Sequence, residues 1–254
     1  MAARYLFIVG LGLVGAFVCG MNASAAEIKV STARLIATVL REIGREFELE
    51  TGNKLKVTEI YGPQFVKRIS EGESFDADVV ILQPRLIDQL INGGKLVGRT
   101  RTNLVQTGIG LETRAGAPKP DVSSVEAFKR ALLNAKSVAY LKSGVESAYL
   151  DELLGRLGIA EAVQSKLLRP ETDSVSALTA NGEIELGISI ITQIVTTPGV
   201  ELVGTFPPEL QRYYIFPGAI GAASRAPDAA MALLKFLRTP AAARVIRAQG
   251  MEPG

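Results

Sequence analysis

Hydrophobic positions follow two alternating spacings along most of the chain. Short apolar runs, such as those around Ile28–Val30 and at Val79–Leu82, predict strands that are covered on both faces. Between such runs, apolar residues recur at three- and four-residue intervals, as in Leu35–Phe47, which predicts amphipathic helices. Strands and helices therefore alternate, and this order predicts an α/β fold with mostly parallel sheets flanked by helices.

The same pattern locates the other elements. Further strands are predicted at Leu55–Ile60, Leu104–Leu111, Ser137–Leu141, Leu186–Ile191, Glu201–Phe206 and Tyr213–Ala222. Further helices are predicted at Gln64–Glu71, Arg85–Ile91, from Ser123-Ser124 to about Asn134, from Ser147 to about Leu157, at Asp173–Asn181, Asp228–Leu237 and Ala241–Gln249.

Polar turns at the starts of helices are the candidate ligand sites. In sheets with parallel strands, ligands bind beyond the carboxyl ends of the strands, where helix N-termini offer unpaired N–H groups. The turns that qualify are Ser31–Arg34, Tyr61–Gln64, Ser143–Ser147 and Thr172–Ser174, all rich in Ser, Thr or Gly. The candidate ligand-binding residues are Thr32, Arg34, Tyr61, Gly62, Gln64, Ser143, Gly144, Glu146, Ser147 and Ser174. For each of them an ordinary helix cap or a surface position is the alternative interpretation.

The first 25 residues have the pattern of a cleaved export signal. Arg4 precedes the apolar run Tyr5–Val18, and the small residues Ala23-Ser24-Ala25 follow. This run is shorter than the roughly 20 residues that a membrane-spanning helix needs. Cys19 would be removed with the signal, so the mature chain would contain no cysteine and no disulfide. We therefore expect residues 1–25 to be a signal peptide and the mature protein to be periplasmic.

Composition excludes several classes of chemistry. The chain contains no histidine, which rules out Ser-His-Asp catalysis and histidine-ligated zinc. The net charge of +2 is too small to indicate nucleic-acid binding. No glycine-rich nucleotide motif is present, and we expect neither a cofactor nor a metal ion.

Several segments, in this order, carry a family resemblance. The unit Val30–Leu40, the runs Ala77–Ile81 and Leu186–Ile188 and the ending Thr239–Ala242 resemble periplasmic solute-binding proteins of ABC importers. The resemblance is greatest to the molybdate-binding branch and spans the mature chain. It implies a type II fold of two lobes joined by two crossing strands, placed at about Val105–Glu112 and Tyr214–Ala222. The first lobe would comprise residues 26–108 and 218–254, and the second would comprise residues 109–217.

The resemblance also implies a monomeric receptor that binds a small anion and delivers it to an ABC permease in the inner membrane. However, the hydroxyl donors of molybdate binders are not retained. The resemblance places their two serines on Arg34 and on Gly62 or Pro63, and their tyrosine on Ile190. Two positions that bind through the backbone N–H fall near Glu146 and on Ser174. A guanidinium and a carboxylate in one cleft favour an asymmetric organic carboxylate over a tetrahedral oxyanion.

An enzymatic function stays open as the alternative. Some proteins resembling this subgroup are periplasmic isomerases of unsaturated tricarboxylates such as aconitate. Such an isomerase needs a general base, for which Glu146, Tyr61, an aspartate or a lysine would have to serve. Because the sequence contains no catalytic signature, no catalytic residue is assigned, and we expect a binding protein rather than an enzyme.

Overall fold

The computed structural model describes residues 25–171 and 174–254. The predicted signal peptide before Ala25 lies outside the described residues, as do Thr172 and Asp173 of the fourth candidate turn. The strands are β1 (Glu27–Thr32), β2 (Lys54–Glu59), β3 (Val79–Ile81), β4 (Thr102–Thr107), β5 (Ile109–Arg114), β6 (Val138–Ala139), β7 (Leu167–Leu168), β8 (Leu186–Ile190), β9 (Val200–Thr205), β10 (Tyr214–Ile220) and β11 (Glu252–Pro253). The helices are α1 (Arg34–Thr51), α2 (Gly62–Ser70), α3 (Pro84–Asn92), α4 (Val125–Asn134), α5 (Ser147–Arg156), α6 (Ala160–Gln164), α7 (Val175–Asn181), α8 (Ile191–Thr196), α9 (Pro227–Phe236) and α10 (Pro240–Ala248), with a 3-10 turn at Gly98–Thr100.

The strands form two sheets flanked by helices, as the predicted α/β class requires. The first sheet has the strand order β11-β4-β10-β3-β1-β2, and the second has the order β7-β6-β8-β5-β9. The expectation of mostly parallel sheets needs correction, because both sheets are mixed. Strand β1 pairs in parallel with β2 and β3, whereas β10 runs antiparallel to β3 and β4, and β5 runs antiparallel to β8 and β9.

The chain passes from the first sheet to the second and back again. The predicted strand Leu104–Leu111 is divided at Gly108 into β4, in the first sheet, and β5, in the second. The return follows β9, because β10 pairs within the first sheet from Tyr214 onward. Sheet membership thus places residues 214–217 with the first sheet, whereas the sequence assigned them to the second lobe.

Each sheet has its own hydrophobic core. On one face of the first sheet, Ile28 and Val30 of β1 pack against α1, and the rings of Phe47 and Phe236 meet edge-on with centroids 5.4 Å apart. The opposite face packs on α2 and α3. Strand β3 contributes alternate residues to the two faces, which confirms that the run Val79–Leu82 is covered on both sides. The second sheet packs on α4, α5 and α6. None of the described helices is long and apolar enough to span a membrane.

Candidate ligand site between the sheets

A cavity of about 460 Å³ lies where the start of α1 faces elements of the second sheet. From the first sheet's side it is lined by Arg34, Leu35 and Thr38, which belong to the first turns of α1. From the second sheet's side it is lined by Leu141, Ser174, Ile190, Thr192, Gln193, Thr196 and Thr197. Its volume falls within the range of small-molecule pockets, roughly 300–1,000 Å³. The cavity is therefore a candidate ligand site shared between the two halves of the chain.

Arg34 supplies the positive charge of this pocket. It is the first residue of α1, and its side chain is exposed. Within residues 25–171 and 174–254, no carboxylate forms an ion pair with its guanidinium. The guanidinium can therefore hold a carboxylate with two parallel hydrogen bonds.

Ser174 and Ile190 reach the same pocket from the second sheet. Ser174 precedes α7 as its N-cap residue, yet its hydroxyl makes no capping hydrogen bond to the helix backbone. The hydroxyl is thus available to a ligand. The sequence placed Arg34, Ser174 and Ile190 at positions that bind the oxyanion in molybdate binders, and the structure brings all three into one cavity.

The other candidates on the first sheet's side lie outside the lining of this pocket. Thr32 is fully buried, and its hydroxyl donates to the Ile81 carbonyl over 2.8 Å, so it ties β1 to β3. Tyr61 is 73% exposed and stands as the N-cap of α2. Gly62 is buried against Leu82 and Leu86, while Gln64 is exposed.

The turn before α5 is next to the pocket through Leu141. The Ser147 hydroxyl donates to the carbonyl of this pocket-lining residue over 2.5 Å, which fixes the turn against the cavity wall. Ser143 is exposed. Gly144 leaves room for the Glu146 side chain, because a Cβ there would lie 2.6 Å from a Glu146 carboxylate oxygen.

Glu146 is a buried carboxylate close to the strand that returns to the first sheet. The residue is 2% exposed, and burial raises the pKa of its carboxyl, although its own backbone N–H opposes the shift. The neighbouring Tyr214 hydroxyl is buried and has no hydrogen-bond partner among the described residues. Burial, followed by the charge of Glu146, raises the pKa of Tyr214 to about 12. These two polar groups lie between the cores of the two sheets, since Tyr214 packs against both.

A second buried carboxylate, Glu112, was not among the candidate residues of the sequence analysis, which ended the predicted strand at Leu111. It lies within β5 and is fully buried. Its oxygens accept hydrogen bonds from Ser176 over 2.7 Å and from Ser189 over 3.3 Å. Burial raises the pKa of Glu112 to about 7, although the hydroxyls of Ser176, Ser189 and Thr179 oppose the shift. Ser176 belongs to α7, the helix that presents Ser174 to the pocket.

The pocket-lining residues of α8 and Thr38 were also missed. Thr192, Gln193 and Thr196 follow an apolar run that was predicted as a strand through Ile191, so no helix was expected there. The one usable signal was the concentration of threonines at 192, 196 and 197, immediately beyond the carboxyl end of a buried strand. Among the described residues, His, Cys, Asp and Glu form no group of three or more able to hold a metal ion.

Comparison with known proteins identifies the family. The sequence profile of the bacterial extracellular solute-binding proteins matches residues 28–252. The chain belongs to this family. Among solved structures, the substrate-binding domain assigned to a molybdenum ABC transporter from Clostridium difficile superposes on this chain with a TM-score of 0.77 at 20% identity, covering 90% of this chain and 99% of that one. This likeness confirms the two-lobed fold of the solute-binding proteins.

Two curated relatives of the solute-binding protein described here have different functions. An aconitate isomerase from Pseudomonas sp. is 33% identical over 230 residues, covering 88% of this chain and 86% of its own. The molybdate-binding protein ModA of Azotobacter vinelandii is 27% identical over 260 residues, covering 98% of this chain and 96% of its own. The chain is thus similar in sequence both to an isomerase and to a molybdate-binding protein.

Proposed function

We propose that this solute-binding protein is a periplasmic receptor that captures a small organic carboxylate between its two lobes and presents it to an ABC permease. The observation that carries the proposal is the position of Arg34, an unpaired guanidinium among the described residues, opposite polar side chains of the second sheet in one cavity. A ligand that contacts both walls stabilises the closed arrangement of the lobes, which a permease can recognise.

The pocket favours an organic carboxylate over molybdate for two reasons. Its volume of about 460 Å³ exceeds what a single tetrahedral oxyanion fills, so such an ion would leave most of the wall unpaired. Its donors are also unevenly distributed, because the guanidinium stands on one wall and neutral side chains stand on the other. An asymmetric ligand with a carboxylate at one end matches this distribution.

Titration calorimetry of residues 26–254 tests the proposal. The panel contains malate, citrate, succinate, tricarballylate, cis-aconitate, molybdate and tungstate. We expect at least one carboxylate to bind with a Kd in the micromolar range or below and to raise the melting temperature, since a ligand specific for the native state stabilises it. Submicromolar binding of molybdate or tungstate, with no carboxylate bound, would overturn the proposal.

A second candidate function is isomerisation of an unsaturated tricarboxylate, and the 33% identical aconitate isomerase favours it. In this case Glu146 would be the general base, because burial raises the pKa of its carboxyl and so makes its carboxylate a stronger proton acceptor. Proton NMR of cis-aconitate incubated with the protein in D₂O would show both isomerisation and deuterium incorporation. If cis-aconitate binds but shows neither isomerisation nor deuterium incorporation, only the receptor function remains.

The matched variants for this second candidate are Glu146→Gln and Glu152→Gln. Glu152 lies on the same helix, α5, and is exposed. If Glu146 is the base, Glu146→Gln lowers the turnover rate by at least ~100-fold while cis-aconitate still binds. Glu152→Gln should leave the turnover rate unchanged. Equal turnover in both variants would exclude Glu146 from the reaction.

We also propose that the chain is exported, that residues 1–25 are removed and that the mature protein acts as a monomer without binding nucleic acid. The sequence placed the lobes at residues 26–108 with 218–254 and at residues 109–217. The pairing of β10 with β4 from Tyr214 onward supports moving the second boundary, so the proposed lobes are residues 26–108 with 214–254 and residues 109–213. Intact-mass measurement of protein from the periplasm should give a chain that starts at Ala26 or Glu27. A chain that retains Met1, or one that carries a lipid on Cys19, would contradict export by this route.

A further inference from the structure

The hydrogen-bond directions of the pocket-lining threonines restrict the ligand further. A threonine hydroxyl has one proton to donate and two lone pairs that accept. On the second sheet's side, the Thr196 hydroxyl donates to the Thr192 carbonyl over 2.7 Å, and the Thr197 hydroxyl donates to the Gln193 carbonyl over 2.7 Å. We call Thr192, Thr196 and Thr197 the threonine wall.

Thr192 completes this wall with the same polarity. Its hydroxyl lies 3.1 Å from the Thr107 hydroxyl and 3.3 Å from the Gly250 carbonyl, and it donates its single proton in that direction. Thr107 in turn donates to Gly250 over 3.2 Å. All three hydroxyl protons of the wall are thus used inside the protein, and the wall offers lone pairs.

Thr38 shows the same pattern on the opposite side of the pocket. Its hydroxyl donates to the Arg34 carbonyl over 3.3 Å. The side-chain donors left for a ligand are therefore the Arg34 guanidinium, the Gln193 amide and the Ser174 hydroxyl. The pocket thus has the charged donor Arg34 on one side, and on the other side the lone pairs of the threonine wall beside the neutral donors Gln193 and Ser174.

From this polarity we infer that the ligand carries a hydroxyl group beside its carboxylate, so the site selects hydroxycarboxylates. A carboxylate oxygen placed against the threonine wall would meet lone pairs and lose its hydration without gaining a donor. A ligand hydroxyl donates its proton to the wall and still accepts from Gln193 or Ser174. The inference rests on the proposed carboxylate receptor and names its substrate class.

An ammonium group would also donate to the wall, but the described lining contains no acidic side chain to balance its charge. Burying an ammonium without a counter-charge is costly, whereas burying a hydroxyl costs only its hydrogen bonds, which the wall replaces. The neutral hydroxyl is therefore the better match. The site should therefore bind a hydroxy acid more tightly than an amino acid of the same length.

Calorimetry on matched ligand pairs tests the inference. Malate differs from succinate, and citrate from tricarballylate, by one hydroxyl group. We expect the hydroxylated member of at least one pair to bind ~10-fold or more tightly, because a site built around a hydroxyl leaves its own polar groups unpaired with the analogue that lacks it. Aspartate should bind more weakly than malate.

Isosteric variants test whether the threonine wall causes the preference for hydroxylated ligands. In Thr196→Val/Thr197→Val the ratio of hydroxylated to unhydroxylated affinity should fall towards one, whereas Thr196→Ser/Thr197→Ser should retain it. Thr58→Val makes the same change on an exposed position of β2 and should leave the ratio unaltered. Circular dichroism on each variant confirms that it is folded before it is titrated.

The outcomes separate this inference from the proposed function. If succinate and tricarballylate bind as tightly as their hydroxylated partners, or if aspartate binds as tightly as malate, the hydroxycarboxylate inference fails and the carboxylate receptor stands. An unchanged ratio in the double valine variant also overturns it. If no carboxylate binds at all, the proposed function itself fails.

Discussion

At the scale of single residues, Arg34 accounts for the positive charge of the pocket. Its side chain is exposed and unpaired among the described residues, so its removal should disturb the fold little. A charge-assisted pair in a closed cleft contributes on the order of 2–4 kcal/mol to binding. Arg34→Ala should therefore weaken the carboxylate ligand by ~30-fold or more in calorimetry.

The control for this prediction is Arg45→Ala. Arg45 is an exposed arginine on the same helix but lines a different surface depression. The Arg45→Ala variant removes the same net charge without changing the pocket. A loss of affinity that both variants show is therefore due to long-range electrostatics alone. Equal affinities of Arg34→Ala and Arg45→Ala would remove Arg34 from the site.

Glu112 makes stability depend on pH in a predictable direction. Its carboxyl has a pKa of about 7 in the folded protein, against an ordinary value of 4.5, so the folded state binds the proton more tightly. The stabilisation is complete below pH 4.5 and is lost as the pH rises through about 7. The shift in the pKa of Glu112 therefore changes the free energy of unfolding by about 3 kcal/mol at most between low and high pH.

Glu112→Gln should remove this dependence, because the amide stays neutral and can still accept a hydroxyl proton. Urea unfolding between pH 4.5 and 8 should show that the free energy of unfolding of the wild type falls relative to that of the variant as the pH rises. Glu183→Gln, on the exposed residue after α7, is the matched control. Parallel curves for wild type and Glu112→Gln would contradict the assignment.

Arg34 and Ser174, which the sequence offered as candidates, both line the cavity, and their ligand-binding role stays a prediction. Arg34 stands where a buried strand meets a helix, and Ser174 stands where a polar turn meets a helix. Both junctions are visible in the order of residue types. Glu112 was not predictable in this way, because a carboxylate in a strand normally indicates a position that is exposed to solvent. The hydroxyl groups around it come from two elements distant in sequence: α7, which packs over β5 and supplies Ser176, and β8, which pairs with β5 and supplies Ser189.

At the scale of elements, α8 shows how tertiary contacts can override local preference. Ile191–Thr196 is rich in β-branched residues, which favour strands, and the apolar run before it extends the strand pattern. The chain nevertheless turns into a helix at Ile191, whose backbone N–H donates to the Gly108 carbonyl over 2.9 Å. Contacts with the crossing segment and with Gly250 stabilise a helix that the hydrophobic pattern could not predict.

Gly250 is the position where the C-terminal segment packs against α8. It has a φ of +70°, and a Cβ there would come within 2.7 Å of Val195 and 3.0 Å of Ile191. Gly52 has a nearly identical φ of +72° but no atom within 4 Å of the equivalent Cβ. The two glycines therefore separate backbone strain from steric overlap.

The prediction is that Gly52→Ala costs about 1 kcal/mol of stability, from the left-handed backbone alone. Gly250→Ala should cost at least about 1 kcal/mol more, because α8 and the C-terminal segment must also move apart. Chemical denaturation of both variants gives the comparison. Equal losses would show that the contact between Gly250 and α8 contributes nothing to stability.

At the scale of the whole molecule, the alternation of strands and helices predicted layered α/β units, whereas the division into two halves was expected from the family resemblance alone. The mixed strand directions were not predicted, since hydrophobic pattern indicates that a strand is buried without indicating which way it runs. The division at Gly108 does not show in the apolar pattern, which continues from Leu104 to Leu111, and the expected lobe boundary between residues 108 and 109 rested on the resemblance.

Two crossings between the sheets predict a hinge motion on ligand binding. With a saturating carboxylate that binds by calorimetry, small-angle X-ray scattering should show a smaller radius of gyration than without it, because the ligand holds both walls of the pocket together. Arg34→Ala at the same ligand concentration should scatter like the unliganded protein. An unchanged radius of gyration at saturation would mean that the ligand binds without closure.

The strand order of the first sheet also determines how the chain must fold. Strand β4 pairs with β11 at Gln106 and Glu252, residues far apart in sequence, whereas all strands of the second sheet lie between Ile109 and Thr205. Pairing across such a separation carries a large loop-closure entropy and slows folding. A chain that emerges N-terminus first can therefore complete its second sheet while the first still lacks β10 and β11. During that interval the edges of β3 and β4 are unpaired and open to aggregation, and they stay so until β10 and β11 pair with them.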